Sequence, residues 1–286
     1  GGPQQRTIDI ANKLLKYGIK THVVYPLCDS KRFSEKLKKS KIESTPFRLT
    51  RLSLELRILL KYICTFLPEI IHLYFFIKKS NYDLVQITGT PQYKGLIASS
   101  LAGIPVVWIF DDVKMPFLIR IMTRLLAKFF ANGIIFNSTR VYDYYIRNTI
   151  LQNKPCIEIC APVDTFVFDP LKVKPENSMK NNKQKNIITV SGVSPVKGLE
   201  YFIRMASEIC MIDNELTFYV SGAKISSQKR YSEKIDFIIR FSNLNEENYK
   251  YYGMIDNVPS FLAGANIFVC SSVNEGGPMT VWEAMS

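Results

Sequence analysis

Glu275 and Glu283 flank the run Gly276-Gly277-Pro278-Met279-Thr280. The hydropathy pattern predicts a strand over 267–271 and a helix over 279–285, which puts Glu275 in the strand-to-helix loop and Glu283 in the second helical turn. Carboxylates in that position accept hydrogen bonds from ligand hydroxyls, while glycines let main-chain amides close on an anionic group at the helix start. The same glutamates also fit a loop cap and a surface helix position. A second loop, Ser191-Gly192-Val193-Ser194-Pro195-Val196-Lys197-Gly198, sets Lys197 at a helix entrance, where it neutralises a diphosphate or is simply solvated. A third candidate is Gly1-Gly2-Pro3 ahead of the first helix, suited to a phosphate approach or to a plain turn.

Other chemistries have little material. There are only two histidines, His22 and His72, too few for a histidine-based triad or metal cluster. The six cysteines form no repeated CxxC pattern, and Cys156 and Cys160 have no histidine nearby, so reduced thiols are expected rather than zinc or disulfides. The apolar stretch 56–77 is interrupted by Arg57, Lys61, Pro68, Glu69 and His72, which argues against a membrane-crossing helix.

The elements that must position these loops alternate. Helical spacing of Ile8, Ile10, Ala11, Leu14 and Leu15 predicts a helix over 6–17, followed by a short apolar strand over 21–26. Residues 31–61 hold ten basic and three acidic side chains and are expected to be exposed connecting structure, leading into a helix over 53–79 broken near Pro68. Further strands are expected at 83–88, 104–110 and 133–138, with helices at 93–102 and 117–130. The lysine-rich segment around 169–186 has the composition of a surface linker. Beyond it the alternation resumes with strands at 186–191, 216–221, 249–252 and 267–271, and helices at 199–211, 233–241, 258–263 and 279–285. This is an α/β chain of two doubly wound modules: residues 1–165, a linker at 166–186, and residues 187–286.

The 286 residues fit two domains, and their charge is uneven. Residues 1–161 carry 24 basic and 11 acidic side chains; residues 162–286 carry 13 and 14. The positive half suits an anionic partner: nucleic acid, anionic lipid or a phosphorylated substrate. Arg120, Arg124 and Lys128 repeat every four residues beside Phe117, Ile121, Leu125 and Phe129, a pattern shared by a lipid-facing helix and by an ordinary solvated stripe. No nucleic-acid-binding motif accompanies the charge, so nucleic acid is not an expected partner.

Taken in order, the Gly-Gly at the first helix, Ser194-Pro195-Val196-Lys197-Gly198, and the Glu-x7-Glu spacing of Glu275 and Glu283 resemble the retaining GT-B glycosyltransferases of family four. Smaller matches agree, among them Phe136-Asn137-Ser138, Ala161-Pro162-Val163-Asp164, Phe168-Asp169-Pro170 and Tyr252-Gly253. The resemblance implies two Rossmann-like domains with an interdomain cleft. It implies a nucleotide-sugar donor bound by the second domain, and a glycan or lipid-linked acceptor bound by the first. Lys197 would then pair with the donor diphosphate, Glu275 contact the donor sugar and Glu283 the ribose hydroxyls. Gly2 and the main chain around Gly276, Gly277, Pro278, Met279 and Thr280 would approach the phosphates or the sugar. The sugar would be transferred with retention, without metal or cofactor, in the cytoplasm or peripherally at the cytoplasmic membrane face.

Two positions depart from the family pattern. An arginine usual near the start of the lysine loop is replaced here by Gly192 or Val193. Asp111-Asp112 stands where a histidine followed by an aspartate is frequent, so Asp111 is either an acceptor-side catalytic group or an ordinary loop residue. The resemblance also implies that a first strand precedes Gly1 and that further elements follow Ser286. A non-catalytic sugar-nucleotide-binding relative and a nucleotide-sugar epimerase are the alternative readings of the same donor features.

Overall fold

The computed structural model describes every residue except 1, 29, 54, 161, 180–184, 214 and 225–227. The chain separates into two compact units, residues 1–161 and 162–286. In the first, a four-stranded sheet has the order β3-β4-β5-β6, made of Val85–Thr88, Val106–Phe110, Gly133–Phe136 and Cys156–Glu158. All its pairings are parallel. The strands are connected by α4 (Tyr93–Leu101), α5 (Phe117–Phe130) and α6 (Thr139–Tyr145). Val106, Trp108, Phe110 and Ile134 are buried together with Tyr93, Leu96 and Tyr145 from the helices. Trp108 keeps its indole satisfied by donating to the carbonyl of Gly89 at 3.0 Å.

A smaller parallel pair, β1 (His22–Pro26) and β2 (Glu43–Phe47), packs with α1 (Gly2–Leu15) and α2 (Lys31–Lys39) around Ile8, Val23, Phe33 and Leu37. Neither α2 nor β2 was expected. Six of the nine residues in α2 are charged, but Phe33 and Leu37 lie one turn apart and supply a narrow buried face. Pro46 is tolerated in β2 because that strand pairs with β1 alone and needs no second donor row. Helix α3 (Leu56–Lys79) runs unbroken through Pro68. Pro68 is exposed, so water can reach the carbonyl its ring leaves without a helical donor.

Helix α3 packs on α4 through Ile70, Leu73, Ile77 and Ala98, and a buried ion pair joins them. Lys94 Nζ lies 2.5 Å from Glu69 Oε2, with Thr50 donating to the same carboxylate from its main chain at 3.0 Å. Burial alone would raise the Glu69 pKa, but hydrogen bonds from Lys94 and Thr50 reverse that and hold it low. For Lys94, burial prevails and lowers the pKa despite its partner.

The second unit carries a sheet in the order β10-β7-β8-β9, formed by Ile267–Phe268, Lys185–Val190, Leu216–Ser221 and Tyr249–Gly253. Its pairings are also parallel. On one face α7 (Leu199–Ile209) and α8 (Lys229–Arg240) cover Ile187, Phe218 and Val220. On the other, Ile188 and Tyr219 meet Phe261 of α9 (Val258–Ala263). The expected linker is not wholly surface structure. Met179, in a 3-10 turn at Asn177–Met179, is buried against Ile188, Tyr219 and Phe261, and Asn186 donates to the carbonyls of Met179 and Gly264, each at 2.8 Å. A single methionine among lysines leaves no periodic trace in the sequence. Residues 180–184 of that segment lie outside the described residues.

Replacing Glu69 with alanine leaves the Lys94 ammonium buried without its partner. Urea denaturation of Glu69→Ala is expected to show a stability loss of about 3 kcal/mol, whereas a surface pair would show under ~1 kcal/mol.

Candidate functional site

The C-terminal edge of the second sheet is stitched into one rim. Ser191 N donates to Ser221 O at 2.8 Å, Val193 N to Ala223 O at 3.0 Å, and Gly222 N to Gly253 O at 2.7 Å, joining the loops that leave β7, β8 and β9. Gly222 is indispensable here: a Cβ would lie 1.7 Å from the carbonyl oxygen of Ser191. The loops after β7 and β10 are tied in the same way, Val273 N donating to Val196 O at 2.9 Å and Ser271 Oγ to Lys197 O at 3.1 Å. Gly198, at φ +59°, turns the chain into α7 where a Cβ would sit 2.3 Å from Ser271 O.

That stitching brings together two residues 78 positions apart. Lys197 ends a 3-10 turn (Pro195–Lys197) after β7, and its Nζ forms an ion pair with Oε1 of Glu275. Both side chains are partly accessible, at 36% and 21%, so a ligand can reach either. Buried Gly276, then Gly277 and Pro278, lead into α10 (Met279–Met285), which contains Thr280 and a half-buried Glu283. Pro278 occupies the N-cap and has no N–H, so the expected amide donation excludes it and leaves Gly277, Met279 and Thr280 to provide main-chain donors. Val193 is fully buried in the core, whereas a Cβ on Gly192 would approach nothing closer than Ala223 O at 3.9 Å. The position usually held by arginine in the resembled family is therefore empty at Gly192, with room for a side chain.

A second polar cluster belongs to the first unit, again beyond the carboxyl ends of parallel strands. Asp111 and Asp112 follow β4, Thr90 lies just past β3, Asn137 follows β5, and Ile159 follows β6. Arg6 of α1 is buried, donates to Ile159 O at 3.3 Å and faces Asp111. Gly2 does not sit in a loop before this helix, as expected, but in its first turn. Pro3 fits there because helix N-termini leave their first N–H groups unbonded anyway. Gly1 lies outside the described residues. Burial, then repulsion from Asp112, push the Asp111 carboxyl up to about 6 against the pull of Arg6. Burial also raises Asp112, although Tyr145 donates to it at 2.9 Å. Arg6 Nε and Asn137 Oδ1 are buried with no hydrogen-bond partner in the protein.

Arg6, Asn137 and Tyr145 were not anticipated. Arg6 is buried on α1 but lies on a different side of the helix from Ile8 and Ala11, so the apolar spacing of α1 does not point to it. The basic row on α5 also needs correction. Arg120 stacks 4.7 Å from the Tyr144 ring, and Arg124 donates to the carbonyls of Tyr144 at 2.7 Å and Tyr145 at 3.1 Å, so both arginines turn toward α6. Among the described residues, no group of three His, Cys, Asp or Glu side chains is gathered to hold a metal ion.

Residues 172–286, within the second unit, match the family model described as glycosyl transferases group 1. Comparison with curated protein sequences finds no match. Solved structures share the GT-B fold. Anabaena Alr3699/HepE in complex with UDP-glucose superposes with a TM-score of 0.75 at 20% identity, covering 100% of this chain and 74% of that one. A glycosyltransferase from Rickettsia africae ESF-5 gives 0.73 at 16% identity, covering 99% and 73%. Sucrose-phosphate synthase from Thermosynechococcus elongatus gives 0.74 at 12% identity, covering 97% and 71%.

The raised Asp111 pKa has a defined sign. Between its unfolded value near 4 and about 6 the native state holds more protons than the unfolded chain, so this carboxyl costs stability as pH rises through that window, and the cost persists above it. The stability of the parent protein minus that of Asp111→Asn is expected to fall by about 2–3 kcal/mol between pH 4 and pH 7.5 in urea titrations. A difference independent of pH would show that Asp111 is not held in this environment.

Proposed function

With a glycosyl transferases group 1 module at residues 172–286 on a GT-B fold, we infer that the protein transfers a sugar from a nucleotide-sugar donor to a glycan or lipid-linked acceptor. The observation that carries this reading is the Lys197–Glu275 ion pair on the stitched rim of the second sheet. In the structure the ammonium is balanced by the carboxylate. A donor diphosphate, carrying more negative charge than one carboxylate, takes over Lys197 and releases Glu275 to accept hydrogen bonds from the sugar hydroxyls. The binding of the donor thus arms the residue that orients its sugar.

The remaining roles are those the family resemblance implies. Main-chain donors at Gly277, Met279 and Thr280 approach the phosphates or sugar alongside Gly276, and Glu283 in α10 accepts from the ribose. Positive charge and fixed amide dipoles aimed at the departing diphosphate stabilise charge that grows in the transition state, which removes the need for a metal ion. Retention of anomeric configuration is part of the same reading. The complex of HepE with UDP-glucose supports a nucleoside-diphosphate sugar as the donor class. On the acceptor side, ionised Asp111 accepts a hydrogen bond from the attacking hydroxyl, and Gly2 contributes by starting the helix that delivers Arg6 to Asp111.

A donor screen by thermal shift, followed by product analysis with the best nucleotide sugar, tests the assignment. Glu275→Ala is expected to lower kcat by at least ~100-fold with donor binding largely kept, and Lys197→Ala to raise the donor KM by about tenfold or more. Gly192→Arg, which adds a cation where the rim has space, is expected to tighten donor binding. Donor binding with no transfer product would point to the non-catalytic relative. Unchanged kinetics in Glu275→Ala would refute the site.

A further inference from the structure

Helix α3 has one committed face and one bare one. Its inner side, with Tyr62, Ile70, Leu73 and Ile77, is buried, and Glu69 is tied to Lys94. On the outer side Leu56, Leu60, Ile63, Leu67, Ile71 and Phe75 are each between 54% and 69% exposed. At 100° per residue these six fall within a sector of about 120°, an apolar strip from Leu56 to Phe75 that runs along roughly 30 Å of helix. Single exposed leucines are ordinary, but a contiguous strip of this length marks a surface that meets something.

The charges beside the strip identify what. Arg57, Lys61 and Lys79 are exposed along its flank. The only acidic residue in α3 is Glu69, which is turned inward, and α5 contains none, although it too exposes Leu118, Ile121, Leu125 and Phe129. Two copies of the chain joined through this face would bring Arg57, Lys61 and Lys79 together, and within α3, α5 and their caps only Glu55, at the N-cap of α3, offers an exposed carboxylate against them. An anionic bilayer offers both an apolar layer for the strip and headgroup charge for its flank.

We propose that the outer face of α3 seats the protein in the interfacial layer of an anionic membrane, with the helix lying parallel to the surface. By length and composition alone α3 is apolar enough to cross a bilayer. Its buried inner residues and the Glu69–Lys94 pair keep it in the fold, and this fixes it in the plane instead. The inference is argued from the first unit and stands independently of the transfer reaction.

Sedimentation of the full chain with vesicles of neutral phosphatidylcholine, and of phosphatidylcholine with about a third phosphatidylglycerol, provides the test. The parent protein should bind the anionic vesicles at least tenfold more strongly than the neutral ones, and lose binding as salt rises. The double substitution Leu60→Glu and Leu67→Glu, both at exposed positions, should reduce that binding at least tenfold with an unchanged circular dichroism spectrum, while Leu171→Glu, exposed in the second unit, should not. Nucleotide binding, measured on the same variants, should be unaffected. Failure of the parent protein to prefer anionic vesicles overturns the proposal, as does undiminished binding by the double variant. A dimer of the parent chain that the double variant dissociates would assign the strip to a second copy instead.

Discussion

The geometry of the second unit depends on main-chain contact between loops, not on the ionic pair those loops display. Parallel strands deliver every carboxyl end to one side of the sheet, and there the chain is free to change direction only where side chains leave space. Gly198 and Gly222 supply that space. With carbonyl oxygens 2.3 and 1.7 Å from where their Cβ atoms would stand, the loops after β7, β8 and β10 interlock at a fixed separation. Lys197 and Glu275 inherit their proximity from this interlock, which is why an ion pair between two accessible side chains can be definite in position without contributing much to stability.

The first unit solves a related problem with buried charge. Its strand ends gather Asp111, Asp112 and Arg6 in a space that penalises every one of them, and leave polar atoms on Arg6 and Asn137 unpaired. Such an arrangement is poor for stability, and it leaves hydrogen-bonding capacity that the protein itself does not use. Glu69 and Lys94 show the contrast: equally enclosed, but with the main chain of Thr50 completing the set.

Strands of the two larger sheets were legible because a sheet covered on both faces demands unbroken apolar runs, and Val106–Phe110 and Leu216–Ser221 are such runs. Helix α5 was legible down to its ends, since Pro116 precedes it and Ala131 leaves the helical conformation. The β1–β2 pair was half missed, because the lysines of α2 and Pro46 hide a core that needs only Phe33, Leu37 and Phe47. Lys197, Glu275 and Asp111 could be found as loop residues, but their partners could not. Arg6 is 105 positions from Asp111 in the chain, and no local pattern shows that helix α1 turns it toward the strand ends. The α3 strip had a similar fate: read linearly, its charges interrupt the apolar residues, and only the helical winding sorts them onto separate faces.

The parallel pairing found in every sheet also governs how this chain can reach its native state. Neighbouring strands are joined across helices or long loops, never by a tight hairpin, so no strand pair can form as a local nucleus. Each ladder has to wait until the segment between its strands is closed, from residues 27–42 between β1 and β2 to residues 191–266 between β7 and β10, and the entropy of that closure is lost before the ladder contributes. Contacts that far apart along the chain give each unit a high contact order, the property that slows folding relative to a helical bundle of the same size.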